Sequence, residues 1–471
     1  MTHPLMSRGF EPIRFECDYA HLAIEGRLPP DLRGTLYRIG PNPQFPPRGT
    51  YNPLQADGMI HAFRLEGGSA AYRNRWVRTQ QWTRERDAGR ALFATSGSPA
   101  EADPSVVGMQ TDGVANTNLM WHGGVLLALE EGHAPIRIDP VTLETLGGWT
   151  FGGALPANMT AHPKLDPATG EMVFFANFPN RRFDGALAVY VANAAARIVR
   201  QERLAGPYPA LVHDFAITRE HIIFAICPVT LSLDRLRAGR SPIAWEPERD
   251  VHVGVMARHG GEVHWYPHDA CMSWHTMNAY DTDDGIVLDL CVQASAAFPM
   301  LDGTMAPASA LRQYLTRWTL KHVTKGRGDA QSDPSVTGLS DTRLSEVVCE
   351  YPRIDERRLG QRHRHGYVAA VGGPGTGDPF QRALGRFDFD AGEMALWHAG
   401  SHCAVSEPIF VPRAPDAEEG GGWLLATVFD ERRNASHLAV LDAARVAEGP
   451  ITRVHLDHRV PMGFHGTFVA G

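Results

Sequence analysis

The stretch LDPATGEMVFFANF (165–178) decides the fold class, because an Asp-led turn is followed at once by a β-rich apolar run. Short runs of this kind, bounded by turn-forming residues, are typical of strands joined by tight connections. The same order of strand, Asp-led turn and next element recurs in IRIDPVTLETLG (136–147), GRFDFDAGEMALW (385–397) and AVLDAARV (439–446). A recurring hairpin of this type is a feature of β-propeller blades.

Other β-rich runs lie between Gly, Pro, Asp and Asn along the whole chain, and they predict an all-β architecture. These further runs are 125–132, 186–193, 221–227, 285–293, 423–430 and 437–444. Helical periodicity is scarce. We expect only two short helices, at LSLDRLRAG (231–239) and SALRQYL (309–315).

The chain has 471 residues, of which 43% are hydrophobic and 21% charged, so its composition is that of a globular protein. The length alone would allow about three domains. No Pro/Ser-rich linker or change of composition divides the sequence, however. We therefore predict one domain over residues 1–471, in which the 47 glycines and 34 prolines serve turns and loops.

Charge and cysteine usage exclude several classes of function. Lys and Arg number 45 against 53 Asp and Glu, and this acidic balance makes nucleic acid an unexpected partner. The six cysteines are scattered and form no C-x-x-C pair, a usage typical of a reduced cytosolic protein. The sequence shows neither a signal-peptide pattern nor an apolar stretch long enough to span a membrane. We expect a soluble, cytoplasmic protein.

Four of the 22 histidines have similar surroundings, namely His162, His213, His275 and His465. They are separated by 51, 62 and 190 residues, and 471 residues shared among seven blades give about 67 per blade. Each histidine can therefore enter a central axis from a different blade. Four imidazoles there would bind Fe, Cu, Zn or Ni. The alternative is that these are ordinary core or surface histidines, because no H-E-x-x-H or other short zinc motif is present.

Eight segments, in this order, resemble the carotenoid cleavage oxygenase family, and they cover essentially the whole chain. They are LRGTLYRIGPNP (32–43), ADGMIHAF (56–63), NTNLMWHGG (116–124), TAHPKLDPATGEM (160–172), VHDFAIT (212–218), WHTMNAYD (274–281), SEPIFVPR (406–413) and GFHG (463–466).

The resemblance implies a seven-bladed β-propeller with a dome of loops and short helices over an axial non-haem Fe(II). The positions that match the family's iron ligands are His162, His213, His275 and His465. The positions that match its three glutamates, which accept the outer N–H of three ligand imidazoles, are Glu131, Glu350 and Glu407. Thr117 matches a threonine that borders the vacant coordination site in part of the family.

The implied reaction is oxidative cleavage of a conjugated C=C bond by dioxygen to give two carbonyl products. No organic cofactor is needed, and the expected partners are a small hydrophobic substrate and dioxygen. Alternatives are a non-catalytic propeller that serves as a binding module, or a family member that acts as an isomerase or hydrolase. A zinc hydrolase would need a general base beside the water, and none is identifiable.

The substrate is less determined than the reaction. DPSV (103–106) and AWEPERD (244–250) look like the bacterial lignostilbene and isoeugenol-cleaving branch, whose members hold a phenolic hydroxyl with a lysine and a tyrosine. Those two positions are Glu130 and Ser96 here. A glutamate would repel a phenolate, so we expect a substrate that lacks a phenol, or an apocarotenoid, unless Glu130 points away from the cavity.

The remaining expectations concern the cavity wall and the surface. Phe63, Met59, Trp274 and Phe464 are candidates for the wall, although core packing would also explain each of them. Leu231, Leu233 and Leu236 could form an apolar patch on a short helix that touches a membrane. We favour the other interpretation, in which this helix packs on the body of the protein.

Overall fold

The structure is a computed structural model that describes residues 4–96, 98, 100–179, 183–321, 338–371 and 380–471. In that part of the chain the α-helices are α1 (Gln80–Ala88) and α2 (Leu233–Arg237). Helix α1 begins after the N-cap Thr79 and ends at Gly89, which has a left-handed φ of 66°. The 3-10 helices are Pro4–Met6, Arg8–Phe10, Pro53–Gln55, Pro104–Val106, Ala308–Leu311, Glu356–Arg358 and Val446–Glu448.

Strands make up most of the regular structure of the described residues. In chain order they are β1 (Asp18–Tyr19), β2 (Ala23–Gly26), β3 (Gly34–Pro41), β4 (Gly58–Glu66), β5 (Ser69–Trp76), β6 (Asn118–His122), β7 (Val125–Leu129), β8 (Ile136–Ile138), β9 (Thr145–Gly148), β10 (Lys164–Leu165), β11 (Met172–Asn177), β12 (Ala186–Ala192), β13 (Ile198–Ala205), β14 (Phe215–Ile217), β15 (His221–Ile226), β16 (Val229–Leu231), β17 (Ile243–Trp245), β18 (Val251–Ala257), β19 (His264–His268), β20 (Met272–Thr282), β21 (Gly285–Gln293), β22 (Tyr314–Lys321), β23 (Leu339–Ile354), β24 (His365–Ala370), β25 (Ala383–Asp388), β26 (Glu393–His398), β27 (Cys403–Val405), β28 (Ile409–Pro412), β29 (Gly422–Asp430), β30 (Ala435–Asp442), β31 (Pro450–His455) and β32 (Gly466–Ala470).

The predicted strands are confirmed. Each β-rich run of the sequence coincides with one strand, and these strands are β7, β11, β12, β15, β21, β29 and β30. The helix predicted at 231–239 is present as the shorter α2. The one predicted at 309–315 is wrong in its second half, because Tyr314 already begins β22 and pairs with Val292 of β21. Helix α1 was not predicted, although Thr79 and Gly89 are ordinary helix boundary residues.

The Asp-led turns owe their recurrence to one local interaction. In each turn the Asp side chain accepts a hydrogen bond from the backbone N–H two residues further on, which closes the turn before the next element begins. The four donor–acceptor pairs are Val141 N to Asp139 (2.9 Å), Ala168 N to Asp166 (2.8 Å), Asp390 N to Asp388 (3.1 Å) and Ala444 N to Asp442 (3.0 Å).

The strands pair antiparallel in successive groups along the described chain. The first sheet has the order β1-β5-β4-β3-β32, so the last strand of the chain pairs with β3. The next sheets are β6 to β9, β10 to β13, and β14-β15-β18-β19. Strands β20 to β26 follow as one path, in which the long β23 pairs first with β22 and then, from Cys349 onward, with β24. The last sheet is β2-β31-β30-β29, with β27 and β28 both paired to β29.

The core lies between these sheets, and alternate residues of one strand face different neighbours. In β15, for example, Phe224 packs in a cluster with Phe175 of β11, whereas Ile223 packs in a cluster with Leu288 of β21. Similar clusters join every sheet to the next in chain order, and one further cluster joins the last sheet to the first. That closing cluster contains Leu425 and Leu438 together with Leu36 and Phe63.

Helix α2 is oriented differently from our expectation. Leu233 and Leu236 are 41% and 42% exposed, whereas Arg235 is buried and donates to Glu246 and to the carbonyl oxygen of Thr230. The helix therefore packs on the body of the protein, as favoured, but it does so through its arginine, and Leu233 and Leu236 stay exposed. None of the helices in the described ranges is long and apolar enough to cross a membrane. The predicted cytoplasmic location stays a prediction.

Candidate metal centre

The four histidines singled out in the sequence converge on one point. His162 and His213 lie just before β10 and β14, His275 is in β20, and His465 immediately precedes β32, so four different sheets supply them. Their ligating atoms all lie within 4.8 Å of one another. The Nε2 atom of His213 is 3.1 Å from Nε2 of His162 and 3.1 Å from Nε2 of His275.

Three glutamates fix the orientation of three of these rings. Nδ1 of His275 lies 2.7 Å from Glu350, and Nδ1 of His465 lies 2.9 Å from Glu407. Nδ1 of His213 contacts Glu131. A carboxylate at Nδ1 keeps the proton on that nitrogen and leaves a bare lone pair on Nε2.

The convergence of these lone pairs tests whether a metal ion fits the site. Neutral imidazoles that point Nε2 lone pairs at one another from 3.1 Å repel each other, and a central cation turns that repulsion into attraction. Imidazole nitrogen is a ligand for Fe, Cu, Zn and Ni, and no carboxylate belongs to the converging set. The residues present therefore fit a transition metal held by four histidines.

The electrostatic surroundings favour unprotonated rings at two of the four positions. Burial lowers the pKa of His162 well below its usual range, and the three neighbouring imidazoles lower it further. Burial also lowers the pKa of His465 to about 4, against the opposing effect of Glu407. Burial lowers the pKa of His275 too, but Glu350 outweighs it and the pKa of His275 is raised overall.

Glu407 is held by two arginines that the sequence analysis did not single out. Its side chain is 2% exposed, and it accepts hydrogen bonds from Arg38 (3.1 Å), Arg353 (3.2 Å) and the backbone N–H of Gly466 (3.0 Å). Burial raises the pKa of Glu407, but Arg353, His465 and Arg38 bring it down to about 2. Arg38 lies within the motif LYRIGPNP (36–43), and its place in that motif is the sequence signal that could have identified it as a site residue.

Glu350 is aimed at His275 by an irregularity in β23. The pairing of β23 with β24 shifts register between Glu350 and Arg353, and Tyr351 has a left-handed φ of 54°. This conformation costs a non-glycine residue of order 1–2 kcal/mol. In return, the Tyr351 N–H donates to Glu350, and the Tyr351 ring stacks on His275 with centroids 5.6 Å apart.

Thr117 lies beside the histidines, as expected, but its hydroxyl is already used. The Asn116 amide donates to the carbonyl oxygens of Ala56 (2.7 Å) and Pro53 (3.0 Å), so its own oxygen must be the acceptor on the other side. The Thr117 hydroxyl donates to that oxygen at 2.9 Å. Thr117 therefore has no hydroxyl hydrogen left to donate toward the centre.

In the described part of the chain, two cavities of a few hundred Å³ border the four histidines. One, of about 300 Å³, is bordered by Thr117, Trp274, Phe464, Leu54 and Tyr351 together with His213, His275 and His465. We call it the apolar cavity. The other, of about 360 Å³, contains charged side chains, among them the ion pair of Lys164 with Asp214 (2.7 Å).

The predicted wall residues divide into two sets. Trp274 and Phe464 border the apolar cavity. Phe63 and Met59 are fully buried in β4 and pack in core clusters with Leu36 and with Trp76, because this strand lies between sheets. Of the two explanations left open for Phe63 and Met59, the structure matches core packing.

The two positions that replace the phenol-binding lysine and tyrosine also lie elsewhere. Glu130 is 6% exposed, and it contacts Nδ1 of His133. Ser96 is exposed and donates to Glu101 at 2.5 Å. Neither residue borders the two cavities at the histidines, so the structure gives no support to a pocket role for them. Of the alternatives left open for Glu130, the structure matches a side chain that points away from the cavity.

Comparison with known proteins agrees with this geometry. The family described as retinal pigment epithelial membrane protein matches residues 10–470. An isoeugenol monooxygenase of Pseudomonas nitroreducens is 34% identical over 97% of this chain and 96% of its own length. A resveratrol cleavage oxygenase of Aspergillus fumigatus is 33% identical over 99% and 96%. The crystal structure of a Pseudomonas brassicacearum lignostilbene dioxygenase superposes with a TM-score of 0.92 at 33% identity, covering 100% of this chain and 99% of that one.

Proposed function

Because this chain belongs to the family of the retinal pigment epithelial membrane protein and the carotenoid oxygenases, we infer that it is an iron-dependent oxygenase that cleaves a conjugated carbon–carbon double bond. The single observation that carries the inference is the convergence of four histidines, three of them paired with glutamates. The reaction adds one dioxygen molecule across the double bond, breaks that bond and gives two carbonyl products.

We propose Fe(II) as the ion and His162, His213, His275 and His465 as its ligands. The all-nitrogen donor set would accept several metals, and family membership favours iron among them. When bound there, Fe(II) would supply the one-electron chemistry that makes dioxygen reactive toward an alkene. Glu131, Glu350 and Glu407 would keep three rings in the tautomer that binds a cation.

The chain's own residues would prepare the reaction by position and by exclusion of water. Trp274, Phe464 and Leu54 give the apolar cavity walls that take up a hydrophobic alkene beside the histidines. Since its hydroxyl is bonded to Asn116, Thr117 would act there through its methyl group and narrow the space next to the centre. The Arg38 and Arg353 guanidinium groups would keep Glu407 anionic and so hold His465 in place.

For the substrate we propose a compact aryl alkene without an ionised phenol. The apolar cavity, at about 300 Å³, is at the lower end of the range for ligand pockets, which favours a compact molecule over a long polyene. The similar enzymes are named for isoeugenol, resveratrol and lignostilbene. Glu130 stands at the position of that branch's phenol-binding lysine and points away from the cavity, and no lysine or arginine of the described residues borders the apolar cavity to stabilise a phenolate.

We further propose that the chain is one seven-bladed β-propeller over residues 1–471, capped by a dome of loops and short helices. Two observations support it. Apart from the small pair β16–β17, the antiparallel strands of the described residues form seven successive groups of four to six strands when β23 is shared between two groups, and apolar clusters link these groups in cyclic order. The likeness to the lignostilbene dioxygenase structure extends over the whole chain.

The test is iron analysis combined with product analysis. We expect purified protein to contain about one iron per chain and to convert aryl alkenes to two carbonyl products only when both iron and dioxygen are present. Product formation under argon would instead favour an isomerase or hydrolase. Full activity after iron removal would contradict the proposed mechanism, and binding without turnover of any alkene would favour the binding-module alternative.

A further inference from the structure

A chain of two amide groups ends at the apolar cavity. Gln293, which is 3% exposed at the end of β21, donates from Nε2 to the backbone carbonyl oxygen of Ser295 at 2.6 Å. A carbonyl oxygen can only accept, so this contact fixes which end of the Gln293 amide is nitrogen. The Gln293 oxygen must therefore face the other way, toward Gln313.

The orientation of Gln313 follows from that of Gln293. Nε2 of Gln313 donates to the Gln293 oxygen at 2.8 Å, and turning the Gln313 amide over would oppose two oxygens. The Oε1 atom of Gln313 is thus left as an acceptor, and it has no partner among the described residues. Gln313 borders the apolar cavity, as do Thr117, Trp274 and three of the four histidines.

We propose that Gln313 is a specificity-determining residue, whose carbonyl oxygen accepts a hydrogen bond from an uncharged hydroxyl group on the alkene substrate. This inference rests on the proposed function and narrows its substrate class to hydroxyl-bearing aryl alkenes. An amide oxygen repels a phenolate. An ammonium group would lose its hydration among Trp274, Phe464 and Leu54, which makes its burial costly.

A second amide at the cavity is consistent with a polar group on the substrate. Gln381 also borders the apolar cavity, and its side chain has no hydrogen-bond partner among the described residues. Its amide can turn either way and so accept or donate. Gln313, by contrast, is locked by Gln293, and it alone of the two can distinguish a donor from an acceptor.

The test uses three stilbenes, each with one ring substituent of two heavy atoms at the 3 or the 4 position. The substituents have nearly the same size and differ only in whether they can donate or accept a hydrogen bond. Hydroxymethylstilbene offers a donor, methoxystilbene offers only an acceptor, and ethylstilbene offers neither. None of them ionises. We expect kcat/KM for the hydroxymethyl compound to exceed that of the other two by about 10- to 100-fold, since an unmet buried acceptor costs about 1–3 kcal/mol.

Two variants separate the role of Gln313 from general damage. Gln313→Met should remove this preference, lowering kcat/KM for hydroxymethylstilbene about 10- to 100-fold while ethylstilbene changes little. Gln293→Met leaves the cavity wall unaltered but removes the hydrogen bond that fixes the Gln313 amide, so that this amide can turn and donate to an acceptor. The kcat/KM for methoxystilbene should therefore rise several-fold over that of wild type. The exposed Gln201, on β13 at a distance from the centre, provides the matched control Gln201→Met, which should change none of these values.

Dissociation constants, measured by calorimetry on the iron-loaded protein under argon, keep the two proposals distinguishable. If none of the stilbenes is cleaved but the hydroxymethyl compound binds more tightly and loses that advantage in Gln313→Met, the proposed reaction fails and the role of Gln313 stands. If wild type shows no preference in binding or cleavage, or if Gln313→Met keeps the preference, the inference about Gln313 is overturned.

Discussion

The Nε2 atoms of His213 and His275 lie 3.1 Å apart, although 62 positions separate the two residues in the chain. A glutamate carboxylate contacts Nδ1 of each ring, on the side away from the partner histidine; these glutamates are Glu131 for His213 and Glu350 for His275. The protein thus brings lone pairs together at a point where only a cation relieves their repulsion. The first prediction follows from this relationship.

Replacing His275 with Ala should abolish both iron binding and alkene cleavage, because one of four ligands is lost and the Glu350 carboxylate is left without its imidazole partner. Metal analysis and product formation measure the two effects. The exposed His398 at the end of β26 gives the matched control His398→Ala, which should keep its iron. A His275→Ala protein that retains a full complement of iron would contradict the ligand assignment.

Replacing Arg38 with Met should destabilise the protein strongly. The Arg38 and Glu407 side chains are 4% and 2% exposed, and removal of one partner of a buried ion pair costs about 3–5 kcal/mol. We also expect weaker iron binding, since Glu407 orients His465. Denaturant unfolding of the iron-free protein isolates the first effect. Arg64→Met, which breaks an exposed pair with Glu66, should cost less than about 1 kcal/mol.

Substitutions of Thr117 should separate its methyl group from its hydroxyl. The hydroxyl donates to Asn116, so we expect Thr117→Val, which keeps a methyl group at that place, to cleave alkenes at a rate closer to wild type than Thr117→Ser does. Steady-state kinetics at several dioxygen concentrations would measure this. A Ser variant that matches wild type while the Val variant loses activity would show that the hydroxyl is the working group.

Asp57 should make the stability of the protein depend on pH. Burial, reinforced by Glu85, raises the pKa of Asp57 to about 7. Between its unfolded-state pKa of about 3.9 and this value the folded protein keeps a proton that the unfolded chain has lost, so stability falls as pH rises through that window. Below the window the contribution of Asp57 is fully present.

An Asp57→Asn variant should therefore gain up to about 4 kcal/mol of unfolding free energy over wild type when the pH is raised from about 4 to about 8. Denaturant unfolding at the two pH values measures the change. The exposed Asp390 provides the control Asp390→Asn. Its unfolding free energy relative to wild type should change by less than about 1 kcal/mol between the two pH values. If the Asp57→Asn variant differed from wild type by the same amount at both pH values, the raised pKa would be contradicted.

Phenolic stilbenes should be poor substrates. Glu130 replaces the lysine that would stabilise a phenolate, and it is paired with His133 instead of bordering the cavity. We expect resveratrol, whose phenols can ionise, to be cleaved more slowly than hydroxymethylstilbene, whose hydroxyl group cannot, in a competition assay with product analysis. Fast resveratrol cleavage would overturn this argument. The complementary variant Glu130→Lys restores a lysine at this position, and we expect it to cleave isoeugenol, a phenolic alkene, faster than wild type does.

Much of the protein follows from local sequence. The Asp-led turns at Asp139, Asp166 and Asp388 are predictable because their side chains bond to backbone only two residues away. The histidine and glutamate positions follow from motifs in collinear order. In contrast, local sequence leaves Met59 and Phe63 open between pocket wall and core, because an apolar side chain near a motif looks the same whether it faces a cavity or another sheet.

What tertiary structure alone decided is which distant side chains share one environment. Arg38 and Glu407 are 369 positions apart, and their burial together could not be derived from either motif. The register shift that aims Glu350 at His275, and the lock that Gln293 places on Gln313, likewise depend on how neighbouring strands pair. The sequence by itself determined strands, turns and the residues that can bind a metal, since these depend on neighbours in the chain. Orientation, charge balance and the polarity of the cavity depend on neighbours in space.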